Sequence, residues 1–183
     1  MTGGARELTL AELEAGLDHI RGSPQEAGTL EMIVRRPQSG QREVLDAARL
    51  DPADGLVGDR WGAATPRRGE QLTLMNSRVI ALVAQDRARW PLAGDQLYVD
   101  FDLGTDNVPA GTRLAVGAAV IAVSAKPHLG CGKFRARFGF DAVRFVNSPH
   151  AGQGLQLRGI NARVLSAGDV RVGDTIRKLA GPG

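Results

Sequence analysis

The sequence contains almost no cysteine, very little lysine and no long hydrophobic run. Cys131 is the only cysteine among 183 residues, so the chain cannot form an internal disulfide. No apolar stretch has the length of a membrane-spanning helix, and the first residues lack the apolar segment of a signal peptide. These absences predict a protein of a reducing compartment, the cytoplasm, that does not associate with membranes.

The charged residues are nearly balanced in sign, which argues against broad nucleic-acid binding. The chain has 23 lysine and arginine residues against 20 aspartate and glutamate residues, a formal net charge of +3. Arginine supplies almost all of the positive charge, because only three lysines occur. Guanidinium groups bind phosphate and carboxylate with paired hydrogen bonds, so the arginine content is also compatible with anion recognition. We therefore predict no nucleic-acid partner.

Short apolar runs separated by glycine turns dominate the second half of the chain. We predict strands at 72–75, 97–101, 113–116, 119–124, 160–165 and 174–178. Nearer the N-terminus, 30–35 and 43–49 are predicted to pair as a hairpin around a turn at 37–40. Many short strands with such turns favour a mainly β fold, a barrel or a sandwich, over a parallel α/β sheet.

Helical patterns occur at three places. Thr9 and Glu12 form a capping box, and leucine or isoleucine then recurs at helical spacing, which predicts one short N-terminal helix ending at Gly22. Asn76 is a suitable cap for a second helix reaching about residue 89. A third helical segment, 131–145, is broken at Gly139.

Cys131 lies in a small polar loop with glycine on both sides. His128 precedes it by three residues and Lys133 follows it by two. Cationic neighbours favour the thiolate, which is the nucleophilic and metal-binding form of sulfur. The alternative is a buried, unreactive core cysteine. A conventional zinc site is not indicated, because such a site needs four protein ligands and the other histidines have no matching spacing.

A glycine-containing segment, 55–61, combines flexible backbone with one acid and one base. Its glycines permit close approach of the backbone to a ligand. We predict that Arg60 binds an anion while Asp59 holds its guanidinium group. The alternative is a structural turn with a surface ion pair.

The segment 133–140 interleaves cations with aromatic residues. It faintly resembles the stacking strand of RNA-recognition domains, but Asp141 stands where that motif has an apolar residue. Phe134 and Phe138 fall on one helical face, with Lys133 and Arg137 on the adjacent one. We interpret the segment as a packed helix with a solvated or anion-facing edge.

Together these motifs resemble a known family. The sequence has Gly-x-x-Gly-Asp-Arg at 55–60, Gln-Leu-Thr-Leu-Met at 71–75, Gly-Asp-Gln-Leu at 94–97 and Gly-Thr-Arg-Leu-Ala-Val-Gly at 111–117. After the cysteine loop it closes with Arg-Gly-Ile-Asn-Ala-Arg-Val-Leu-Ser-Ala-Gly-Asp-Val-Arg-Val-Gly-Asp at 158–174. In this order they are similar to the MOSC domain, named for the C-terminal part of molybdenum cofactor sulfurase. The resemblance places a stand-alone domain at 29–180, after an N-terminal helical extension (1–28) and before a disordered tail (181–183).

The resemblance implies a MOSC-type β-barrel with a few peripheral helices, and a role for the cysteine. In the reductase branch of the family, a cysteine thiolate binds the molybdenum of a pterin cofactor (molybdopterin). N-hydroxylated compounds are then reduced with electrons from a partner protein. If the role of the family's cysteine is carried over to this sequence, Cys131 is the metal ligand and the catalytic residue. The cofactor pocket is then predicted to contain Asp59, Arg60, His128, Lys133 and Arg158.

Two other functions are compatible with the resemblance. The protein is alternatively a sulfur carrier, with a persulfide on Cys131 and a sulfur-donor protein as partner, or a cofactor-binding module without activity. Pyridoxal phosphate is not expected, because the sulfurase domain that binds it has no counterpart here. The sequence departs from the family pattern at two places. Trp61 stands where many relatives have histidine, and Cys131 follows a glycine where relatives more often have proline. These differences affect the assignment of the substrate more than that of the fold.

Overall fold

The computed structural model of the chain describes residues 6–61, 70–151 and 154–181. The strands in these ranges are β1 (Ala27–Arg35), β2 (Glu43–Leu45), β3 (Ala47–Asp51), β4 (Gly55–Leu56), β5 (Leu72–Asn76), β6 (Leu97–Asp100), β7 (Arg113–Val116), β8 (Ala119–Pro127), β9 (Ile160–Ser166), β10 (Gly168–Arg171) and β11 (Thr175–Lys178). The helices are α1 (Leu10–Glu14), α2 (Leu17–Arg21), α3 (Ser77–Ala84), α4 (Gly132–Phe138) and α5 (Phe140–Val146), and Arg87–Ala93 forms a 3-10 helix.

Seven strands close into a barrel, which confirms the predicted mainly β fold. Their order is β11-β7-β8-β9-β5-β6-β1, and β1 pairs again with β11. All neighbours are antiparallel except β5 and β6. Closure removes the unpaired edges that an open sheet would expose, so each of these strands has two neighbours.

The strand pattern of β6 shows how the barrel wall is buried on both sides. Leu97 and Val99 point into the barrel interior, whereas Tyr98 between them belongs to a second core under the helices. All three side chains are fully buried. Because alternate residues of a strand face opposite sides, a wall covered by helices reads as a continuous apolar run.

The predicted hairpin 30–35/43–49 is correct only in part. β2 pairs with β1 as expected, but the run breaks at Asp46. The following strand, β3, instead joins a separate three-stranded sheet in the order β10-β3-β4. β10 was not predicted; its first residue, Gly168, is one of the glycines interpreted from the sequence as turns between strands. Gly168 is needed there, since a side chain would meet the backbone of Ala118 at 2.3 Å.

Two predicted helices are shorter than expected. The capping box of Thr9 and Glu12 is present, but the N-terminal helix is split into α1 and α2 at Ala15–Gly16. The side chain of Leu82 packs against Gly16, and a Cβ atom added to Gly16 would lie 2.5 Å from Cδ2 of Leu82. Asn76 caps α3 as predicted, yet α3 ends at Ala84 because Gln85 adopts a positive φ of 62°.

The break predicted at Gly139 is confirmed, because it separates α4 from α5. None of the described helices is long and apolar enough to cross a membrane. Residues 182 and 183 of the tail predicted at 181–183 lie outside the described residues. The segment 62–69, which follows the glycine-containing segment 55–61, also lies outside them. The division at 28/29 stays a prediction.

Gly159 is expected to be the least replaceable glycine next to the barrel. Its φ is +106°, and a Cβ atom would lie 2.1 Å from the carbonyl oxygen of Leu74. We predict that Gly159→Ala lowers the free energy of unfolding by about 3 kcal/mol or more, measured by urea denaturation.

Gly40→Ala is the matched control, because Gly40 also has positive φ (+83°) but has no atom within 4 Å of the added Cβ. Its cost should be about 1–2 kcal/mol, the backbone penalty alone. Equal losses in the two variants would contradict the role assigned to the contact with Leu74.

Candidate functional site

The candidate site lies at one end of the barrel. The C-terminal ends of β1 and β8 meet the N-terminal ends of β6 and β9 there, as the pairs Ile33–Leu97 and Pro127–Ile160 show. The loop from β8 to α4 carries Cys131, and α4 packs against the 3-10 helix that precedes β6.

Asp95 is the buried centre of this end of the barrel. Its carboxylate is fully buried and binds two side chains, those of His128 and Arg158, one on each oxygen. Arg158 Nη1 donates to Oδ2 at 2.7 Å, and Nε2 of His128 lies 3.0 Å from Oδ1. Arg158 Nη2 also donates to the carbonyl of Ala93 at 3.0 Å. The three side chains therefore form one hydrogen-bonded network.

The network keeps Asp95 ionised. Burial opposes the charged form, but the positive charge of Arg158 and hydrogen bonds from His128 and Arg158 outweigh burial. The pKa of Asp95 therefore lies well below its usual value. An ionised carboxylate with both oxygens in use fixes the orientation of the imidazole and guanidinium groups that it binds.

Arg158 connects this network to α4. Its guanidinium lies 5.0 Å from the ring centroid of Phe134, a buried residue of α4. Its Nε is buried without a hydrogen-bond partner among the described residues. An unpartnered buried donor is costly, so its presence beside the cysteine loop marks a place where a ligand would be favoured.

Cys131 is exposed, which excludes the alternative of a core cysteine. The loop that holds it is fixed by Asn147, which follows α5. Its Oδ1 accepts a hydrogen bond from the amide of Gly130 at 2.8 Å, and its Nδ2 donates to the carbonyl of Gly130 at 3.0 Å. This two-point contact places the thiol at the start of α4 without a direct bond to the sulfur.

The surroundings of Cys131 favour its thiolate. The thiol makes no capping hydrogen bond of regular geometry, but the nearby amide of Phe134 lowers the pKa of Cys131. Partial burial acts in the opposite direction, and the Lys133 amide and the charges of Arg158 and Arg137 add to the lowering. The positive charges that favour the thiolate therefore come from two segments, α4 with Arg137 and the residues before β9 with Arg158, whereas the sequence predicted His128 and Lys133 for this role.

Asp59 is buried, but it binds Arg36 rather than the predicted Arg60. Arg36 donates from its backbone amide and from Nε to Oδ2, at 2.8 and 3.0 Å, and from Nη2 to Oδ1 at 3.0 Å. The amide of Trp61 also donates to Oδ1. These four bonds occupy both carboxylate oxygens. Arg60 is exposed, so its guanidinium is not held by Asp59.

Four arginines form a positively charged cluster; we call it the arginine cluster, and it consists of Arg36, Arg42, Arg60 and Arg137, the last of which also acts on the thiol of Cys131. Burial, followed by the positive charges of the other three, lowers the pKa of Arg42. The Nε of Arg42 is buried without a hydrogen-bond partner in the part of the chain described. In the described part of the chain, Asp59 is the single carboxylate within salt-bridge distance of any of these four arginines. A cluster with such an excess of positive charge is suited to an anion.

A cavity of about 360 Å³ is lined in part by two residues of the Asp95 network, His128 and Arg158. It is bounded by the end of β8, the loop after β6 and the segment before β9. Its polar wall includes Thr105, Ser124, Lys126, His128, Gln156 and Arg158. The volume suits a small organic molecule. His128 and Arg158 therefore belong both to the buried network and to the wall of the cavity.

The structure brings together most of the residues predicted for the site. Cys131, His128, Lys133 and Arg158 lie around the start of α4, and Arg60 lies in the arginine cluster. Asp95, Arg36, Arg42 and Asn147 were not predicted from the sequence, and Arg137 was predicted only as part of a solvated or anion-facing helix edge. Asp95 was the most detectable of these, because it lies within the Gly-Asp-Gln-Leu motif at 94–97.

The chain belongs to the MOSC domain family. A profile of the MOSC domain matches residues 70–177, which is more than half of the chain. That range includes Asp95, His128, Cys131 and Arg158. No curated protein matches the chain.

Solved structures show the same fold. YuaD of Bacillus subtilis is 17% identical with a TM-score of 0.57, over 82% of this chain and 94% of YuaD. YiiM of Escherichia coli is 20% identical with a TM-score of 0.52, over 84% of this chain and 71% of YiiM. At these identities the similarity establishes a shared architecture.

We predict that Asp95→Asn destabilises the protein by about 3 kcal/mol or more at neutral pH, because it leaves Arg158 buried without a counter-charge. Since the folded-state pKa of Asp95 is lowered, its contribution is complete above the usual aspartate pKa and is lost progressively as the pH falls from there toward the folded-state pKa. Urea denaturation at several pH values would measure both effects.

Asp100→Asn is the matched control. Asp100 also binds an arginine, Arg78, at 2.7 Å, but both side chains are partly exposed (27% and 21%). The loss there should be about 1 kcal/mol or less. A loss at Asp95 no greater than at Asp100 would contradict the central position of Asp95.

The thiol of Cys131 is predicted to be unusually reactive for a free cysteine. The midpoint of its alkylation by iodoacetamide against pH should lie below about 8.5, the usual thiol value. Arg137→Ala should raise the midpoint, because a positive charge near the thiolate is removed. Arg177→Ala, an exposed position on β11, should leave it unchanged. A wild-type midpoint at or above the usual value would be incompatible with this assignment.

Proposed function

We propose that this MOSC domain protein binds a molybdenum cofactor and reduces N-hydroxylated compounds. One observation carries the proposal: an exposed, thiolate-favouring Cys131 lies near Arg137 of the arginine cluster, and His128 and Leu129 of the same loop line a cavity of small-molecule size. A soft thiolate is a suitable ligand for the metal, and guanidinium groups suit the phosphate of the pterin.

The residues present fit such a cofactor better than a bare metal ion. No group of three or more histidine, cysteine, aspartate or glutamate side chains in the described ranges could hold a metal. Cys131 would then be a single protein ligand. A metal held in this way has to bring its other ligands with it, as it does in a pterin cofactor, and the protein must bind that cofactor elsewhere.

The arginine cluster provides this second point of attachment. Arg42 and Arg60 have no carboxylate partner in the described part of the chain, and the buried Nε of Arg42 lacks any partner there. An anionic group of the cofactor would supply the missing acceptor and would reduce the repulsion among the four positive charges. Lys133, two residues from the thiol, is assigned to the same anion-binding surface.

The cavity is assigned to the substrate. When bound, the cofactor supplies two electrons for reduction of the N–O bond. Cleavage of that bond takes up two protons and releases water from an N-hydroxy group. We assign to His128 the donation of one of these protons to the substrate. Asp95 holds its Nε2, while its Nδ1 has no hydrogen-bond partner among the described residues. Arg158 contributes fixed positive charge to the same wall.

A sulfur carrier is the second candidate, favoured by the exposure of the thiol. Persulfide transfer requires an accessible, nucleophilic cysteine and no bound metal. The arginine cluster has no evident part in that chemistry. Incubation with a cysteine desulfurase and sulfur-34-labelled cysteine tests this function, because a carrier would take up the label as a persulfide on Cys131.

We predict stoichiometric molybdenum and oxidised-pterin fluorescence in protein from a host that makes the cofactor. Cys131→Ala should lose the metal, because its protein ligand is removed. Arg42→Ala should retain about tenfold less pterin at limiting cofactor, since a charge-assisted contact is lost. Arg113→Ala, exposed on β7, is the matched control and should behave as wild type.

Reduction of an amidoxime with a viologen donor would complete the assignment. Full metal occupancy in Cys131→Ala would exclude Cys131 as the ligand. Absence of both metal and pterin from the wild type would exclude the cofactor-binding function. Bound pterin without turnover of any N-hydroxy compound would leave a non-enzymatic binding module as the function.

A further inference from the structure

An aromatic side chain is held in solvent between two arginines beside the cysteine loop. Phe140, the first residue of α5, is 53% exposed. The guanidinium carbon of Arg135 lies 4.9 Å from its ring centroid, and that of Arg144 lies 5.7 Å away. We call these three residues the Phe140 patch. Exposed aromatic and arginine side chains are the types that dominate the binding energy of protein interfaces.

The Phe140 patch adjoins Cys131. The amide of Arg135 donates to the carbonyl of Cys131 at 3.0 Å, so Arg135 lies one helical turn beyond the cysteine. Arg135 then contacts the ring of Phe140 across the break at Gly139. A partner seated on the patch would therefore lie next to the thiol, on a surface distinct from the cavity wall.

The charge of this surface is positive and in part uncompensated. Lys133, Arg135 and Arg144 are exposed. Asp141 is already used, because it accepts from the amide of Leu10 at 3.0 Å and pairs with Arg144 at 3.3 Å.

The other acid near the patch is exposed Glu7, which lies against Gly139, where a Cβ atom would be 2.5 Å from its carboxylate. No carboxylate of the described residues lies within salt-bridge distance of Arg135. An acidic partner would supply the missing counter-charge.

We propose that the Phe140 patch is the docking surface for a small acidic electron-transfer protein that delivers electrons to the site at Cys131. The inference rests on the proposed function, which requires two electrons that no group in the described chain supplies. A nucleic acid fits the surface less well. Phe140 is the single aromatic among the exposed large apolar residues of the described ranges, whereas single-stranded nucleic acid is bound by several stacking rings.

The probes are two small acidic electron-transfer proteins, a plant-type [2Fe–2S] ferredoxin and a flavodoxin. Binding to the purified protein is measured by calorimetry at about 20 mM and about 300 mM salt. At least one probe should bind at low salt and weaken about tenfold or more at high salt, as charged transient interfaces do. Phe140→Ala and Arg135→Glu should each weaken low-salt binding about tenfold.

Arg177→Glu is the matched control, because Arg177 is equally exposed but lies on β11. It changes the net charge of the chain as much as Arg135→Glu does, and it should leave binding within about twofold. Equal weakening by both reversals, unchanged binding in Phe140→Ala, or no binding of either probe would overturn the docking surface. Displacement of the bound probe by a short single-stranded RNA would also overturn it in favour of a nucleic-acid surface.

Molybdenum content is measured on the same preparations, which separates this inference from the proposed function. Metal-loaded protein that binds neither probe would refute the docking surface alone. Specific binding at the patch by protein that never contains metal or pterin would refute the reductase function and leave the docking surface standing.

Discussion

The buried carboxylate of Asp95 links the parts of the molecule that make up the site. It precedes β6, and it binds His128 from the loop after β8 and Arg158 from the segment before β9. Through Arg158 and the ring of Phe134 the link extends to α4, which begins beside Cys131. A buried charge is stable only when its partners are in place, so the geometry of the loop depends on this ion pair.

The site has two electrostatic halves. Around Asp95 the charges are matched, and the carboxylate uses both oxygens. In the arginine cluster the positive charges exceed the carboxylate charge, and Arg42 keeps a buried donor without a partner in the described chain. The matched half is built to hold its shape. The unmatched half is suited to bind an anion, and one residue of each half, Arg158 and Arg137, acts on the thiol of Cys131. Under the proposed function, the groups assigned to cofactor, substrate and electron donor therefore all belong to the region around Cys131.

The fold was predictable wherever local sequence and tertiary environment agree. β7 and the cap of α3 at Asn76 fall where expected, because glycine turns and a capping side chain act over a few residues. The N-terminal helix was not predicted to split, since its leucine spacing continues through Gly16 and the break depends on packing against Leu82, far along the chain. β10 was missed because four residues beginning with glycine carry too little pattern to identify a strand.

The candidate site was harder to predict than the fold, because it depends more on contacts between residues that are distant in the sequence. His128 and Lys133 were found because they neighbour Cys131 in sequence, but ion pairs between distant segments leave no local trace. Asp95 and Arg158 are separated by 63 positions. Asp59 shows the cost of relying on proximity: the adjacent Arg60 was the obvious partner, yet both carboxylate oxygens bind Arg36 and the Trp61 amide. The partner of a charged side chain is decided by which residues the barrel places within hydrogen-bonding distance of it. Barrel closure brings together residues that are far apart in the sequence. Sequence proximity therefore located Cys131, His128 and Lys133, whereas the ion pairs of Asp95 and Asp59 could be found only from the fold.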